Sequence, residues 1–194
     1  FLPFDEKRIV SSTGALALKE VPKRLAVIGA GVIGVELASV YARLGSKVVL
    51  VEMLSEICGS LDKTIHGALL RSLKEQGLEF HLNTKLKQAK IGSAIELELE
   101  GEGAGTLQAD VVLVSVGRKP FTQGLGLEKL DVAMTPKGHL IIDQKYCTSV
   151  PSIYAIGDVI EGPMLAHRAS EEGMVFAELL AGRQEEIDYL LIPR

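Results

Sequence analysis

The chain is poor in cysteine, histidine and positive charge, and each shortage removes a class of chemistry. Its 194 residues include two cysteines and four histidines. Cys58 and Cys147 are far apart and fit neither a Cys-x-x-Cys pair nor a zinc pattern, so they read as unrelated thiols of a reducing compartment. His66, His81, His139 and His167 show no metal-ligand spacing, and no metal site is expected. Lys and Arg number 21 against 25 Asp and Glu; the net charge of −4 argues against a nucleic-acid or anionic-membrane surface. No apolar run approaches the ~20 residues of a membrane-spanning helix. The opening FLPFDEKR has no signal- or transit-peptide pattern and no initiator Met, and is expected to be mid-chain sequence. There is no internal repeat and no low-complexity tract. What remains is ordinary globular composition, 47% hydrophobic and 24% charged, on a chain long enough for one or two domains.

What is present is concentrated in Arg24 to Glu52. An apolar run, Leu25–Ile28, meets Gly29-Ala30-Gly31-Val32-Ile33-Gly34; a helical pattern over 32–44 follows, then Gly45, then a second strand over 47–51 that ends on Glu52. This is a Gly-x-Gly-x-x-Gly turn after a strand and before a helix, with an acid at the end of the next strand. Gly29 permits the tight turn, Gly31 lets the backbone approach a pyrophosphate, and Gly34 lets helix and strand pack closely. The helix start offers free N–H groups and a positive dipole end. Glu52 lies 23 residues beyond Gly29 (52 − 29), against an expected spacing of about 20. A carboxylate there accepts from a ribose 2′-OH and repels a 2′-phosphate, which predicts NAD as the ligand.

The rest of the chain reads in order. Residues 1–23 look like a lead-in, with Ser11-Ser12-Thr13-Gly14 as a loop. Ile33, Leu37, Val40 and Leu44 form the apolar stripe of the first helix. Asp62 caps a second helix over 63–76, whose Ile65, Leu69 and Leu73 should face a sheet. A strand at 79–82 completes a βαβαβ unit. Ile95 to Glu100 alternates strictly and predicts a strand with one wet face; 86–91 and 106–109 supply its antiparallel neighbours. Glu96, Glu98 and Glu100 are read as that solvated face. Asp110 to Val116 is nearly continuous apolar sequence, a strand buried on both faces, ending at Gly117 beside the expected dinucleotide. Short β pieces are expected around 132–134 and 139–142, a strand at 153–156 ending in Gly157-Asp158, and a helix over 164–181. The fold class is therefore α/β, a Rossmann-type βαβαβ dinucleotide-binding domain with an antiparallel β-meander, followed by part of a second domain.

These motifs together resemble the flavin-dependent disulfide reductases: the Gly29–Gly34 turn with Glu36 and Glu52, then Val114-Ser115-Val116-Gly117-Arg118-Lys119-Pro120, then Ile153 to Asp158 followed by Met164-Leu165-Ala166-His167. Ile9 to Leu16 and Gly162 to His167 are similar to the members that reoxidise dihydrolipoyl groups. The resemblance implies FAD, NAD, central and interface domains, with electrons passing through a redox disulfide and FAD to NAD. It divides the chain into a lead-in over 1–20, an NAD domain over 21–118, a central FAD-contacting segment over 119–185 and a tail over 186–194. It implies that Gly29, Ala30, Gly31, Val32, Ile33, Gly34, Val35 and Glu36 hold NAD, with Glu36 near the nicotinamide. Glu52 would bind the adenosine ribose, Leu86 the adenine end, and Gly117 would pack on the cofactor. Asp158 would bind the FAD ribitol, and Met164, Leu165, Ala166 and His167 would approach the flavin ring through backbone N–H groups. Implied partners are lipoyl domains of 2-oxo-acid dehydrogenase complexes and a second copy in a homodimer. The implied location is the mitochondrial matrix; otherwise the chain would be cytoplasmic.

The family's Cys-x-x-x-x-Cys pair, its first glycine triplet and its His-Glu pair find no match in this sequence. No catalytic residue is therefore assigned, and the chain is expected to be an excised piece without turnover of its own. On that expectation Ile153, Val175, Phe176 and Leu179 would be exposed, giving self-association or a loosely held C-terminal segment. The alternatives are a stand-alone NAD-binding module or an NAD(P)H-dependent sibling reductase related to glutathione or ferredoxin reductases; the NADPH-linked siblings would be expected to place basic residues where Glu52 sits.

Overall fold

Successive residues of the apolar run Leu25–Ile28 point to opposite faces, so the two faces of its sheet need two different covers. A computed structural model describes residues 2–59, 61–183 and 186–193. It divides into two compact units, one up to Gly117 and one from Arg118 onward.

The first unit is built on a parallel sheet. Its strands are β1 (Ile9–Val10), β2 (Arg24–Ile28), β3 (Lys47–Val51), β4 (Glu79–His81) and β8 (Val111–Val114), in the order β1-β8-β2-β3-β4. Three helices, α1 (Ser12–Leu16), α2 (Val32–Arg43) and α3 (Lys63–Glu75), belong to one core, where Leu25 and Val27 pack with Val35, Ala38, Tyr41, Leu50 and Leu73. The meander β5 (Thr84–Ile91), β6 (Ile95–Gly101) and β7 (Gly105–Ala109) closes the other face, where Ala26 and Ile28 meet Ile95, Leu97 and Leu99. The alternation in β6 has the predicted sense. Glu98 and Glu100 point away from the core and pair with Lys87 (2.6 Å) and Lys85 (3.6 Å) across the ladder.

Several expectations need correction. The lead-in is part of the sheet: β1 pairs in parallel with β8, and Ile9 and Val10 are fully buried. The 11–14 loop is the start of a helix instead, since Ser11 caps α1 by accepting the Gly14 N–H. The buried stripe of α2 is Gly34, Val35, Ala38 and Tyr41, while Val40 and Leu44 are 49% and 58% exposed. Leu37 of the expected stripe packs against this core, but small residues let the helix lie close to the sheet there, and Val40 and Leu44 are left on the outer face. In α3, Leu73 is buried but Ile65 is exposed in the first turn, where Asp62 caps the helix by accepting the Thr64 N–H. The buried strand is shorter than 110–116. Asp110 turns out of it to bind Arg24, and Ser115 begins the loop.

That Asp110 contact ties the start of β2 to the start of β8. The Arg24 backbone N–H and guanidinium both donate to the carboxylate, at 2.9 and 2.6 Å, and hold its pKa below the ordinary 3.8. A depressed carboxyl pKa contributes stability above the unfolded value and loses it as pH falls through the folded one. The pair is over a third exposed, so solvent screening limits its worth. Asp110→Asn should lower unfolding free energy at pH 7 by about 1 kcal/mol. In urea melts the gap to the unmodified protein should close below the ordinary carboxyl pKa of 3.8. An equal gap at pH 7 and in acid would show that the charge contributes nothing.

The second unit has its own core of Leu127, Val132, Leu140, Tyr146, Ala155, Ile160 and Val175. The strand expected at 153–156 is a single bridge, Cys147 to Tyr154, followed by a 3-10 turn at Gly157–Val159; the bridge Met134 to Leu140 marks the pieces expected at 132–134 and 139–142. Helix α4 runs over Ala166–Leu180. Ile153, Phe176 and Leu179, expected to be exposed, pack with Val175 against this core. Bends in the loops supply the inward-facing residues that a strand would have supplied, so a core forms without a regular sheet.

Candidate functional site

The carboxyl ends of β8, β2 and β3 lie side by side in the sheet, with β2 between the other two. Chain order reverses there: β2 passes through α2 to β3 on one side, and β8 fills the other. Such a switch point leaves a crevice outside the strand ends. Gly29 follows β2, Glu52 follows β3, and Ser115 to Gly117 follow β8.

The glycine turn is pinned from every side. Gly29 has φ of 96°, and a Cβ there would come within 2.6 Å of the Ser115 carbonyl oxygen. A Cβ on Gly34 would lie 2.1 Å from the Gly29 carbonyl oxygen and 2.6 Å from Ser115 Oγ. A Cβ on Gly31 would meet nothing within 4 Å. The turn is thus closed behind Gly34 and open in front of Gly31. Helix α2 begins at Val32, and no side chain caps it. Its first N–H groups border the open side, with Val32 and Glu36 exposed and Val35 buried in the core.

Glu52 holds this turn. Its Oε2 accepts the Ala30 N–H at 2.7 Å and its Oε1 accepts the Leu54 N–H at 2.8 Å. Each oxygen retains a further lone pair for a ligand hydroxyl. The Ala30 carbonyl accepts the Cys58 N–H at 2.8 Å, so Ala30 is gripped at both ends of its peptide unit. Cys58 is buried at φ of 44°; burial pushes its thiol pKa up, and the charges of Glu36 and Glu52 add to the shift. Sequence reasoning did not single out Ser115 or Cys58. Ser115 Oγ donates to the Gly29 carbonyl at 2.9 Å, and no sequence pattern announces such a contact 86 residues away.

Leu86 lies on β5 with its side chain packed against the meander-side core. Gly117 is exposed at φ of 121°, with open space where a Cβ would be.

In the second unit, Asp158 sits in the 3-10 turn and pairs with Arg118 at 2.5 Å. Met164 and Leu165 lead into α4, which no side chain caps, and Ala166 and His167 are exposed in its first turn. His167 Nε2–H donates to the Pro193 carbonyl at 2.9 Å. Behind these residues lies an ion pair that sequence reasoning missed. Arg168 and Glu172 are 3% and 0% exposed and lie 2.8 Å apart. Glu172 accepts the Gly157 N–H at 2.6 Å and the Tyr189 hydroxyl at 3.0 Å. Arg168 donates to the carbonyls of Glu161 and Pro163 at 2.8 and 3.0 Å. The pair therefore fixes both loops that carry the second group of candidate residues. A recoverable signal existed, because positions 168 and 172 fall on the helical stripe of Val175 and Leu179. A cleft of about 350 Å³ beside Arg168 is lined by Leu140, Ile160, Pro163 and Tyr189. The Arg168 Nε is buried and has no hydrogen-bond partner among the described residues.

Among the described residues no group of three His, Cys, Asp or Glu is placed to hold a metal, and no helix is long and apolar enough to cross a membrane.

The parallel sheet, glycine turn and terminal acid define a Rossmann-type unit. Residues 3–173 match the family described as pyridine nucleotide-disulphide oxidoreductase, and the chain belongs to that family. It is 50% identical to the mitochondrial dihydrolipoyl dehydrogenase of Caenorhabditis elegans, over 99% of this chain and 40% of that protein. It is 48% identical to the leghemoglobin reductase of Glycine max, over 97% of this chain and 37% of that protein. Among solved structures, LpdA from Mycobacterium tuberculosis superposes with a TM-score of 0.85 at 26% identity, covering 96% of this chain and 41% of that one. The HOCl-induced flavoprotein disulfide reductase RclA from Escherichia coli gives 0.84 at 30% identity, covering 92% and 40%. The chain spans about 40% of the length of the curated relatives it matches.

Proposed function

We propose that the chain provides the NAD-binding unit and a flavin-facing segment of a flavoprotein that reoxidises dihydrolipoyl groups, with electrons passing through a redox disulfide and FAD to NAD. The observation that carries this reading is the open face of Gly31, bordered by an uncapped helix start and by Glu52. Membership of the family and the named relatives support the pairing of nicotinamide and flavin.

On this reading Gly29, Ala30, Gly31, Val32, Ile33, Gly34 and Val35 line the pyrophosphate with backbone, and Glu36 stands toward the nicotinamide. Glu52 takes the adenosine ribose, Leu86 borders the adenine end, and Gly117 leaves room for the cofactor. The donor set fits: amide N–H groups for a dianionic bridge, and a carboxylate for a diol. Asp158 takes the flavin ribitol. The α4 start, from Met164 to His167, faces the ring, where its dipole favours negative charge. When bound, nicotinamide and flavin supply the two-electron chemistry. The chain's own residues bind, orient and neutralise. Lipoyl domains and a second copy are the proposed partners, and the mitochondrial matrix is the proposed location, in line with the names of the relatives.

Calorimetric titration of the chain with NAD and NADP tests this. NAD should bind saturably and NADP at least about tenfold more weakly, a difference of roughly 1.4 kcal/mol. Glu52→Ala should weaken NAD by a similar factor, and Glu52→Arg should move preference toward NADP. Unchanged titrations for both variants would remove Glu52 from the ribose.

A further inference from the structure

The peptide unit that joins Gly29 to Ala30 is gripped at both ends by side chains that follow the two strands flanking β2. Its N–H end belongs to Glu52, after β3, whose Oε2 accepts the Ala30 N–H at 2.7 Å. Its carbonyl end belongs to Ser115, after β8, whose Oγ–H donates to the Gly29 oxygen at 2.9 Å. The hydroxyl has one proton and two carbonyls within reach, those of Gly29 and Ile28. The Ile28 carbonyl, at 3.2 Å, already accepts the Ser115 backbone N–H at 2.8 Å, so the proton goes to Gly29. The Gly29 oxygen faces Gly34 too closely for any Cβ there, and among the described residues no backbone N–H reaches it. The hydroxyl is therefore the donor that satisfies it.

We propose that Ser115 is a positioning residue for dinucleotide binding: acting through the 29–30 peptide, it aims the Glu52 carboxylate at a ribose 2′-hydroxyl and so helps to set the preference for NAD over NADP. The inference rests on the reading of the glycine turn as the dinucleotide site. A peptide unit is planar, so fixing its oxygen fixes the direction of its N–H. That N–H is one of two that orient the Glu52 carboxylate; the other comes from Leu54, at 2.8 Å on Oε1. Losing the hydroxyl leaves the Gly29 carbonyl unpaired, and the peptide tilts to find water. The Ala30 N–H tilts with it, and Oε2 loses its direction. Leu54 then holds the carboxylate by one oxygen, and the group turns about that bond.

The remaining contacts keep the turn folded without fixing this tilt. The Gly29 N–H donates to the Val51 carbonyl and the Cys58 N–H to the Ala30 carbonyl, both at 2.8 Å. Those bonds belong to the peptide units on either side. The Glu52 backbone is pinned as well, by the His81 carbonyl and the Thr84 N–H, each at 2.9 Å. A turn held at so many points survives the loss of one hydroxyl, and the direction of the 29–30 unit is what changes. The helix start beyond Gly31, which serves the pyrophosphate common to both dinucleotides, lies outside that unit.

The test measures NAD and NADP affinities by calorimetry, well below thermal unfolding, for the unmodified chain, Ser115→Ala, Ser115→Thr, Glu52→Ala and the combined Ser115→Ala with Glu52→Ala. Ser115→Ala should bind NAD roughly fivefold more weakly, the worth of a single neutral hydrogen bond, and NADP within about twofold of the unmodified chain. Ser115→Thr, which keeps the hydroxyl, should restore NAD to within about twofold. In the Glu52→Ala background the same Ser115→Ala change should cost less than about twofold, because the carboxylate that it aims is gone. Should the extra methyl of threonine lower its melting temperature, the comparison in the Glu52→Ala background decides alone. A hydroxyl that only stabilises the fold would lower the melting temperature and leave the NAD-to-NADP ratio unmoved, and that result would overturn the proposal. So would an undiminished loss on top of Glu52→Ala. Amide exchange supplies an independent readout. The Ala30 N–H should exchange faster in Ser115→Ala and recover in Ser115→Thr; an Ala30 signal that ignores Ser115→Ala ends the proposal. If neither dinucleotide binds the unmodified chain, the reading of the turn fails and the proposal falls with it, whereas NAD binding with an unmoved ratio in Ser115→Ala defeats the proposal alone.

Discussion

Gly31→Ala should leave the protein folded and abolish most NAD binding, whereas Gly34→Ala should damage both. The two glycines sit three residues apart in one turn, but a methyl group meets different surroundings at each. At Gly31 the backbone lies at φ −70° and ψ 179°, ordinary extended geometry that alanine adopts freely. Its Cβ would enter open space, so unfolding free energy should shift by no more than about 0.5 kcal/mol, as for most surface positions. The same methyl group would occupy the approach of a phosphate, and calorimetry should show affinity falling by tenfold or more, about 1.4 kcal/mol or above. At Gly34 the Cβ would sit 2.1 Å from the Gly29 carbonyl oxygen, a backbone atom that cannot swing aside. The helix must lift from the sheet, and overpacking of that kind costs about 3 kcal/mol. Thermal unfolding should fall by roughly 10 °C or more for a unit of this size. If Gly31→Ala binds NAD like the unmodified chain, no phosphate approaches there. If Gly34→Ala melts normally, close packing is not the role of the third glycine.

The largest stability effect should come from Glu172, a residue outside the recognised motifs. Removing one member of a buried ion pair leaves the other charged and unpaired, at a cost of about 3–5 kcal/mol. Glu172→Ala would strand Arg168 and also free the Gly157 N–H and the Tyr189 hydroxyl. Three of the four tyrosines, Tyr146, Tyr154 and Tyr189, belong to the second unit, and the chain has no tryptophan. Tyrosine fluorescence in urea therefore reports mainly on this unit, and its midpoint should collapse in the variant. Arg168→Met with Glu172→Gln removes both charges and should recover part of the loss, because a neutral pair has no buried charge to compensate. If the double variant is no better than Glu172→Ala, the deficit comes from the lost hydrogen bonds and not from the stranded arginine.

These two sites also show what the sequence could disclose. The glycine turn was legible because its requirements are local. A missing Cβ, a helix start and an acid at the next strand end leave marks within 30 residues, and the structure builds the strands and helix as read. The regular alternation of β6 was legible for the same reason, since a period of two declares which side is wet. The stripe of α2 was right at Leu37 and misread at Val40 and Leu44, because close approach to a sheet is recorded largely by small residues, here Gly34 and Ala38. The buried pair was overlooked because Arg and Glu four apart on a helix usually form an exposed pair. Only tertiary packing distinguishes the two cases. The packing of Ile153, Phe176 and Leu179 was missed because their partners lie on irregular loops with no period to read.

The place of β8 in the sheet has a consequence for how the first unit comes into being. Val112 pairs with Ile9, 103 residues earlier (112 − 9), and with Ala26, 86 residues earlier (112 − 26). The strand that joins β1 to β2 is the last of this sheet to be synthesised. Until it arrives, β2 has an open edge and β1 has no neighbour at all, so the glycine turn lacks the Ser115 side of its frame. Pairing at such separation is slow compared with local contacts. The candidate crevice is therefore among the last features of this unit to form, and a nascent chain ending short of Val114 would carry the glycine motif complete in sequence and unsupported in space.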